Sequence, residues 1–413
     1  MSFVGVNTNK INGGLGGVEN PDRVAVMVVG SGVIADTLAV NTVYKLLQLT
    51  DAEALGINAE HDAATNRLDY HHLSEVFRLA PDSVINLIAV PAGIKVSDLK
   101  NNAAFITALR SISGINIIAC SGLAAEIEIP GSSALAQSVT GAQLLVDGLA
   151  KDHIYVDAVL LEGIGSYLTM FVNTMEDLRG LASPNVSVII GQDRDIAALN
   201  AAYSGYAAVG SALGMLMVRA VHENLGSVDI ETKPSARKGE PDYMLTDVKL
   251  GRFINAGLSN GKDFKELSLA DQKQLDLLGY IYIGAFQGYA GFYFSNSHTC
   301  ENQGSDYSFI ERNCIWNKAA RIVRNTLIPR VRSKVAADPA TGFINKTTII
   351  SWSGRVRKAL EPMVIARNCA EFNVTINPQQ AAVSYKPFQI GITIVADGIV
   401  HEFDVDLGFT NKI

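Results

Sequence analysis

The sequence predicts an α/β protein. A mixed, largely parallel sheet domain covered by helices is followed by an α+β C-terminal domain, with extended strand arms at the termini. Three observations carry this prediction. From Arg23 to about Leu225, valine- and isoleucine-rich runs alternate with amphipathic stretches of helical spacing, the pattern of strands joined by crossover helices. At ETKPSARKGEP (231–241) the chain turns polar and then aromatic. Both ends carry short alternating segments that read as strands. A chain of 413 residues is long enough for two or three packed units. We divide it into an arm and hinge (1–20), an α/β domain (21–225), a C-terminal domain (226–397) and a C-terminal strand arm (398–413).

Taken in order, Phe3, Val4 and Val6 give a strand-like piece, and Gly13, Gly14, Gly16 and Gly17 form a hinge. VAVMVV (24–29), SVINLIAV (83–90), INIIAC (115–120), IYVDAVLL (154–161) and VSVII (186–190) read as buried strands. Their unbroken apolar character fits a parallel sheet covered on both faces. LDYHHLSEVFRLA, SDLKNNAAFITALRSI, AQSVTGAQLLVDGLAKD and residues 205–225 read as helices. After the polar loop come the apolar block LLGYIYIGAFQGYAGFYF (277–294), a helix from about Tyr307 interrupted at Pro329, and a second from about Thr347 to Asn368. EFNVTI, FQIGITIVA and IVHEFDVDLGF close the chain as strands, and Asp397-Gly398 is a two-residue hairpin signal between the last two. In the final strand Phe403, Val405, Leu407 and Phe409 alternate with Glu402, Asp404, Asp406 and Gly408. Exposed apolar strand edges invite pairing with other chains. A strand at each end therefore points to strand addition onto neighbouring copies.

Composition narrows the function. Hydrophobic residues make up 48% of the chain and charged ones only 18%, so much weakly polar surface is left to be covered by other chains. A net charge of −7 argues against nonspecific attachment to nucleic acid or anionic lipid. MSFVGVNTNK has neither a basic n-region nor an apolar core, so no secretory signal is expected. No apolar run reaches the length of a membrane span. Cys120, Cys300, Cys314 and Cys369 are widely spaced and read as buried thiols of a reducing compartment.

One stretch suggests an enzyme. VAVMVV ends on Gly30-Ser31-Gly32, Ala35 stands where the third small residue of a dinucleotide fingerprint would be, and Asp51 lies where the ribose acid would fall. The context fails. A helix through Ala35, Leu38, Ala39, Val43, Leu46 and Leu47 leaves no room for a second strand before Asp51. A strand at VNTVYKLLQL leaves a crossover too short for a parallel unit. We therefore expect a structural turn and no cofactor, and keep an NAD(P)-dependent oxidoreductase only as the alternative. Gly261-Lys262-Asp263 lacks the rest of a phosphate loop, and His71-His72 point in different directions on a helix. Asp193 and Asp195 suit a helix N-terminus. No catalytic or metal constellation stands out, and the chain is expected not to be an enzyme.

Charge gives one further feature. Seven basic residues and no acid lie between Arg312 and Lys334, so the rest of the chain carries −14 against the total of −7. Helical spacing puts Asn313, Asn317, Lys318, Arg321, Arg324 and Asn325 on one face and Ile315, Ala319, Ile322, Val323 and Thr326 on the other. Such a face fits an acidic partner or another copy of the chain.

GYAGFYFSNSHTC (288–300), SDYSFIERNCIWNKAARIVRNTLIP (305–329), DPATG (338–342) and the ending FQIGITIVADGIVHEFDVDLGF resemble the contractile tail-sheath proteins of bacteriophages and related injection systems. The closer likeness is to a single-chain sheath group common in phages and prophages of Bacteroidetes, to which NGGLGGVENPDRVAVMVVG is also similar. The resemblance implies a structural subunit that stacks as hexameric rings around a tail tube and contracts to drive the tube through a cell envelope. Implied partners are other copies, the tube protein, and baseplate and tail terminator proteins, with no nucleic acid and no membrane insertion. The implied setting is a virion tail or injection particle assembled in the bacterial host cytoplasm. Inter-subunit arm roles then fall on Phe3, Val4, Val6, Phe403, Val405, Leu407 and Phe409. Contact with the tube or between rings falls on Lys318, Arg321 and Arg324. A non-contractile shell or adhesin would share the arms but give closed or flat particles instead of a hollow tube.

Overall fold

The computed structural model describes residues 20–383, 386–405 and 407. The apolar runs form β1 (Ala25–Val29), β2 (Val43–Leu46), β3 (Ile85–Ala89), β4 (Ile117–Ser121), β5 (Ala158–Glu162) and β6 (Val186–Ile189). Among the described residues they make one sheet, in the order β2-β3-β1-β4-β5-β6. β3, β1, β4, β5 and β6 run parallel, and β2 is antiparallel to β3. Every residue of β1, β3 and β4 is buried, which is why these strands read as continuous apolar runs. The stretch between Gly32 and Asp51 is neither of the two arrangements weighed above. It is a series of turns leading into β2. An antiparallel edge strand needs no crossover helix, so the short spacing suffices.

Helices α1 (Leu49–Ala54), α2 (Ala59–Thr65) and α3 (Asp69–Leu79) precede β3. α4 (Val96–Leu99) and α5 (Ala103–Ser111) lie between β3 and β4, and α6 (Ala134–Lys151) between β4 and β5. Asn102 and Ser133 cap α5 and α6 by accepting from Phe105 and Ala136 N–H groups, the role that short polar side chains fill at helix starts. Phe105, Leu109, Leu135 and Val139 share a core with Val26, Val28, Ile118 and Val159. α7 (Arg194–Ala197) and α8 (Val209–Val218) follow β6. α8 packs on β4 and β5, and α3 packs on α8. That last contact is close: a Cβ on Gly210 would stand 2.3 Å from the His72 carbonyl oxygen.

The chain forms two compact units, residues 1–318 and 319–413. The larger keeps β7 (Gly191–Asp193), β8 (Ala256–Leu258), α9 (Leu269–Leu278), β9 (Ile283–Gly284) and β10 (Tyr293–Phe294). Leu258, Leu267, Leu275 and Tyr280 join the core of the sheet. Ile281 and Cys300 N–H groups donate to Val188 and Val186 carbonyls (3.0 and 2.7 Å), covering the edge of β6. The polar loop at 231–241 is thus a surface excursion within this unit. α10 (Ile310–Leu327) crosses the division, and a 3-10 turn at Ile328–Arg330 ends it beside Pro329. In the smaller unit, α11 (Lys346–Ile365) packs on β11 (Glu371–Ile376), which pairs antiparallel with β12 (Ile390–Val395). Val356, Leu360, Met363 and Val374 are buried there.

The hairpin expected at Asp397-Gly398 is not formed. β12 ends at Val395, and residues 396–405 lie in no helix or strand. The turn signal is local, whereas a further apolar strand needs a covering layer that one helix on two strands does not supply.

Candidate functional site

In a sheet of this order the ligand crevice of an open α/β fold would lie beyond the carboxyl ends of β1 and β4. Here it is filled. Gly30 N–H donates to Ser121 O (3.2 Å) and Gly32 N–H to Val90 O (3.0 Å), so the glycine amides that would cradle a phosphate are spent on the neighbouring strands. Arg67 Nη1 donates to the carbonyls of Gly30 and Gly122. The Glu162 carboxyl accepts from Gly122 N–H (3.0 Å) and Ala207 N–H (3.1 Å). His72 Nε2 lies 4.0 Å from Glu162, and His61 Nε2 lies 3.7 Å from the fully buried Asp69. Burial pushes Glu162 up to about 7 and the His72 and His71 imidazoles down to about 3 and about 4. The cavity beside Glu162, lined by Cys120, Leu135, Ser138 and Tyr167, has room for about one water. Asp51, the expected ribose acid, instead accepts from Leu47 and Gln48 N–H groups (2.7 and 3.1 Å) at the start of α1. Asp193 caps α7 by accepting from Asp195 N–H. The four cysteines are buried thiols. Among the described residues, no group of three or more His, Cys, Asp or Glu is placed to hold a metal ion. Nor is any helix there long and apolar enough to cross a membrane.

α10 is not the evenly solvated basic face that helical spacing suggests. Asn313 and Asn317 are buried. Asn313 Nδ2 donates to Pro184 O (2.7 Å), and Asn317 Nδ2 donates to Val156 O (3.1 Å) and Asp157 Oδ1 (2.8 Å). Lys318 Nζ is paired with Asp22 (2.6 Å). Arg321 is partly buried, while Arg324 and Asn325 are exposed. On the other side Ile315 and Ala319 are buried, and Ile322, Val323 and Thr326 are partly so. Polarity alone reads as solvent exposure on a helical wheel, and an asparagine that satisfies buried carbonyls defeats that reading. The sequence also gave no sign of Arg23, whose guanidinium is buried where β1 begins. It donates to Arg219 O (3.0 Å), Ala220 O (2.7 Å) and Cys314 Sγ (3.2 Å).

Of the arm residues, Phe3, Val4, Val6, Gly13, Gly14, Gly16, Gly17 and Phe409 lie outside the described residues. Phe403, Val405 and Leu407 are described, in no strand, at 81%, 74% and 94% exposure. Among the described residues β11 and β12 pair only with each other, leaving the outer edge of each open.

The chain matches the family models described as DUF2586, N-terminal domain, over residues 3–298, and DUF2586, C-terminal domain, over residues 306–413. No curated protein sequence matches it. A chain of the six-fold symmetrised baseplate of the anti-feeding prophage superposes with a TM-score of 0.58 at 12% identity, covering 100% of both chains. A chain of the sheath complex of an extracellular contractile injection system (PVC), in its contracted state, gives 0.57 at 12% identity, covering 100% of this chain and 98% of that one. The sheath tail protein of Desulfitobacterium hafniense gives 0.51 at 10% identity, covering 95% of this chain and 100% of that one. At these identities the likeness establishes the fold, and it is the fold of contractile sheath proteins.

Proposed function

This chain belongs to the DUF2586 family, and on that membership and the sheath fold we propose that it is the structural subunit of a contractile tail sheath. Copies stack as hexameric rings around a tail tube, and contraction of the sleeve drives the tube through a cell envelope. The observation that carries this reading is the likeness over nearly the whole chain to a chain of a sheath complex and to a sheath tail protein, which takes in both compact units. Phe403, Val405 and Leu407 add to it, standing in solvent on a chain whose β11–β12 sheet has open edges. Strand addition between copies would satisfy both. Phe3, Val4, Val6 and Phe409 complete the arms, and Gly13, Gly14, Gly16 and Gly17 let the N-terminal arm pivot.

Partners on this reading are other copies, the tube protein, and baseplate and terminator proteins, in a virion tail or injection particle assembled in the host cytoplasm. Arg321 and Arg324 are the tube- or ring-facing charges, with Lys318 behind them holding Asp22. The subunit is not an enzyme on this reading, and the energy of contraction is held in the extended assembly. Negative-stain microscopy of the purified protein, alone and with its tube protein, tests the proposal. Hollow tubes with a regular axial repeat are expected, and closed or flat particles would overturn it.

A further inference from the structure

Lys318, the last residue of the larger unit, holds Asp22 at 2.6 Å across 296 residues of sequence. The first described turn of the chain and the point where the chain leaves this unit are therefore one place. Around Asp22 the entering chain is tied repeatedly. Asp22 and Arg23 N–H groups donate to Asn20 Oδ1 (3.0 Å) and Asn20 O (2.9 Å), closing a turn. The buried Arg23 guanidinium then spreads its donors over two helices. Nε and Nη2 bond the Arg219 and Ala220 carbonyls (3.0 and 2.7 Å) just past α8, and Nη1 bonds Cys314 Sγ (3.2 Å) on α10. Val24 N–H donates to the buried Asn116 Oδ1 (2.8 Å), and Asn116 N–H donates to Val24 O (2.9 Å). Cys314 and Lys318 are one turn apart on the same face of α10, so the helix meets the entering chain twice. A planar fork bonded in three directions is fixed in direction as well as position.

We propose that residues 22–24 and α10 form a tension joint. Force between the segment before residue 20 and the residues after 318 crosses Asp22–Lys318 and Arg23–Cys314, and it bypasses the six-stranded sheet. Arg23 is the positioning residue, acting on the entering chain through α10 and the end of α8. Asp22 and Lys318 hold the crossing in register. Without the joint, a pull on residue 20 would enter β1 directly and reach α10 only through the body of the unit. β1 lies between β3 and β4, so that load would fall on the core strands, and forced unfolding is governed by how fast such a core gives way. The inference rests on the sheath reading for the source of the force, since strands exchanged at both ends would pull on each copy from both termini at once.

The test is single-molecule pulling of the full chain at constant force, with handles at its two ends or at Asn101→Cys/Lys265→Cys, two exposed positions of the larger unit. The four native cysteines are buried, which leaves the introduced thiols to take the handles. Arg23→Met removes the fork and keeps an apolar stem. Asp22→Asn lies at a partly exposed position and spares the fold, and Asp22→Lys/Lys318→Asp reverses the pair. Between end handles the lifetime of the larger unit should fall at least about ten-fold in Arg23→Met and about three-fold in Asp22→Asn. The reversed pair should return it toward the wild type. Between internal handles Asp22→Asn should leave the lifetime unchanged, and Arg23→Met should shorten it less. If Arg23→Met does not fold, Asp22→Asn and the reversed pair decide the outcome. An equal fall in both geometries would make these residues structural only and overturn the joint, as would no fall between end handles. A loss confined to end handles supports the joint whatever particles the purified protein forms. Closed or flat particles beside that loss would overturn the sheath reading alone.

Discussion

A Cβ on Gly30 would stand 2.2 Å from the Gly122 carbonyl oxygen, so the approach of two strand ends by itself requires glycine there. Gly30→Ala should cost about 1–3 kcal/mol in denaturant unfolding, the usual range for overpacking. Titration of the wild type with nicotinamide or adenine nucleotides should show no saturable micromolar binding. Saturable binding abolished by Gly32→Trp would revive the oxidoreductase. Glu162 offers a pH test. Burial raises its folded pKa to about 7, above the unfolded value, so the folded state holds its proton more tightly. That contribution to stability is full below the unfolded pKa and is lost as pH rises through about 7. Glu162→Gln has no such proton to lose. Relative to this variant, the wild type should lose about 2 kcal/mol between roughly pH 5.5 and pH 8. A pH-independent difference would show that Glu162 is ionised throughout.

At the scale of elements, α10 separates two roles that its sequence runs together. Lys318→Glu places a carboxylate beside Asp22, where an ion pair of 2.6 Å now stands. Both groups are partly exposed, so the loss should be modest, about 1 kcal/mol, seen as a small fall in melting temperature. Asn317→Ala should cost more, about 1–3 kcal/mol, because it removes a buried donor from the Asp157 carboxylate, while the Val156 carbonyl keeps the Asn185 Nδ2 donor (2.9 Å). Arg324→Glu, at an exposed position, should leave melting nearly unchanged and impair assembly on the tube or between rings. Normal sheathed tails from this variant would reduce Arg324 to a solvated surface charge. The periodicity of α10 was legible in the sequence. Which of its polar groups face inward was not, because that depends on carbonyls of Val156 and Pro184, more than a hundred residues away.

At the scale of the whole molecule, the proposed function makes the terminal arms the elements on which assembly depends. Each main-chain hydrogen bond of an added strand contributes about 0.5–1.5 kcal/mol net, and burying Phe403, Val405 or Leu407 contributes about 1.5–3 kcal/mol each. Ordering the arm costs about 1–2 kcal/mol per residue. One arm contact is therefore modest, and a stable sleeve needs many. Removing residues 1–17 leaves the Asp22–Lys318 pair and the buried Arg23 guanidinium in place. The trimmed protein should melt cooperatively as a soluble subunit and form no long tubes. Long tubes at the wild-type concentration would remove the main support for arm-linked assembly.

The sequence by itself determined the five parallel strands of the sheet and helices between them, because burial on both faces and crossover spacing are written in local runs such as INIIAC and AQSVTGAQLLVDGLAKD, while the antiparallel edge strand β2 came only with the structure. The sequence also determined that Gly30-Ser31-Gly32 lacked the context of a nucleotide site. Spacing excluded a crossover helix and a second strand parallel to β1 before Asp51, and the strand that stands there, β2, is antiparallel to β3. Tertiary structure decided the rest. It closed the strand-end crevice with Arg67 and Glu162, turned Asn313 and Asn317 inward, kept residues 226–318 with the sheet, and brought Asp22 and Arg23 to α10. Each of these depends on partners far apart in the chain, whose meeting no local pattern encodes.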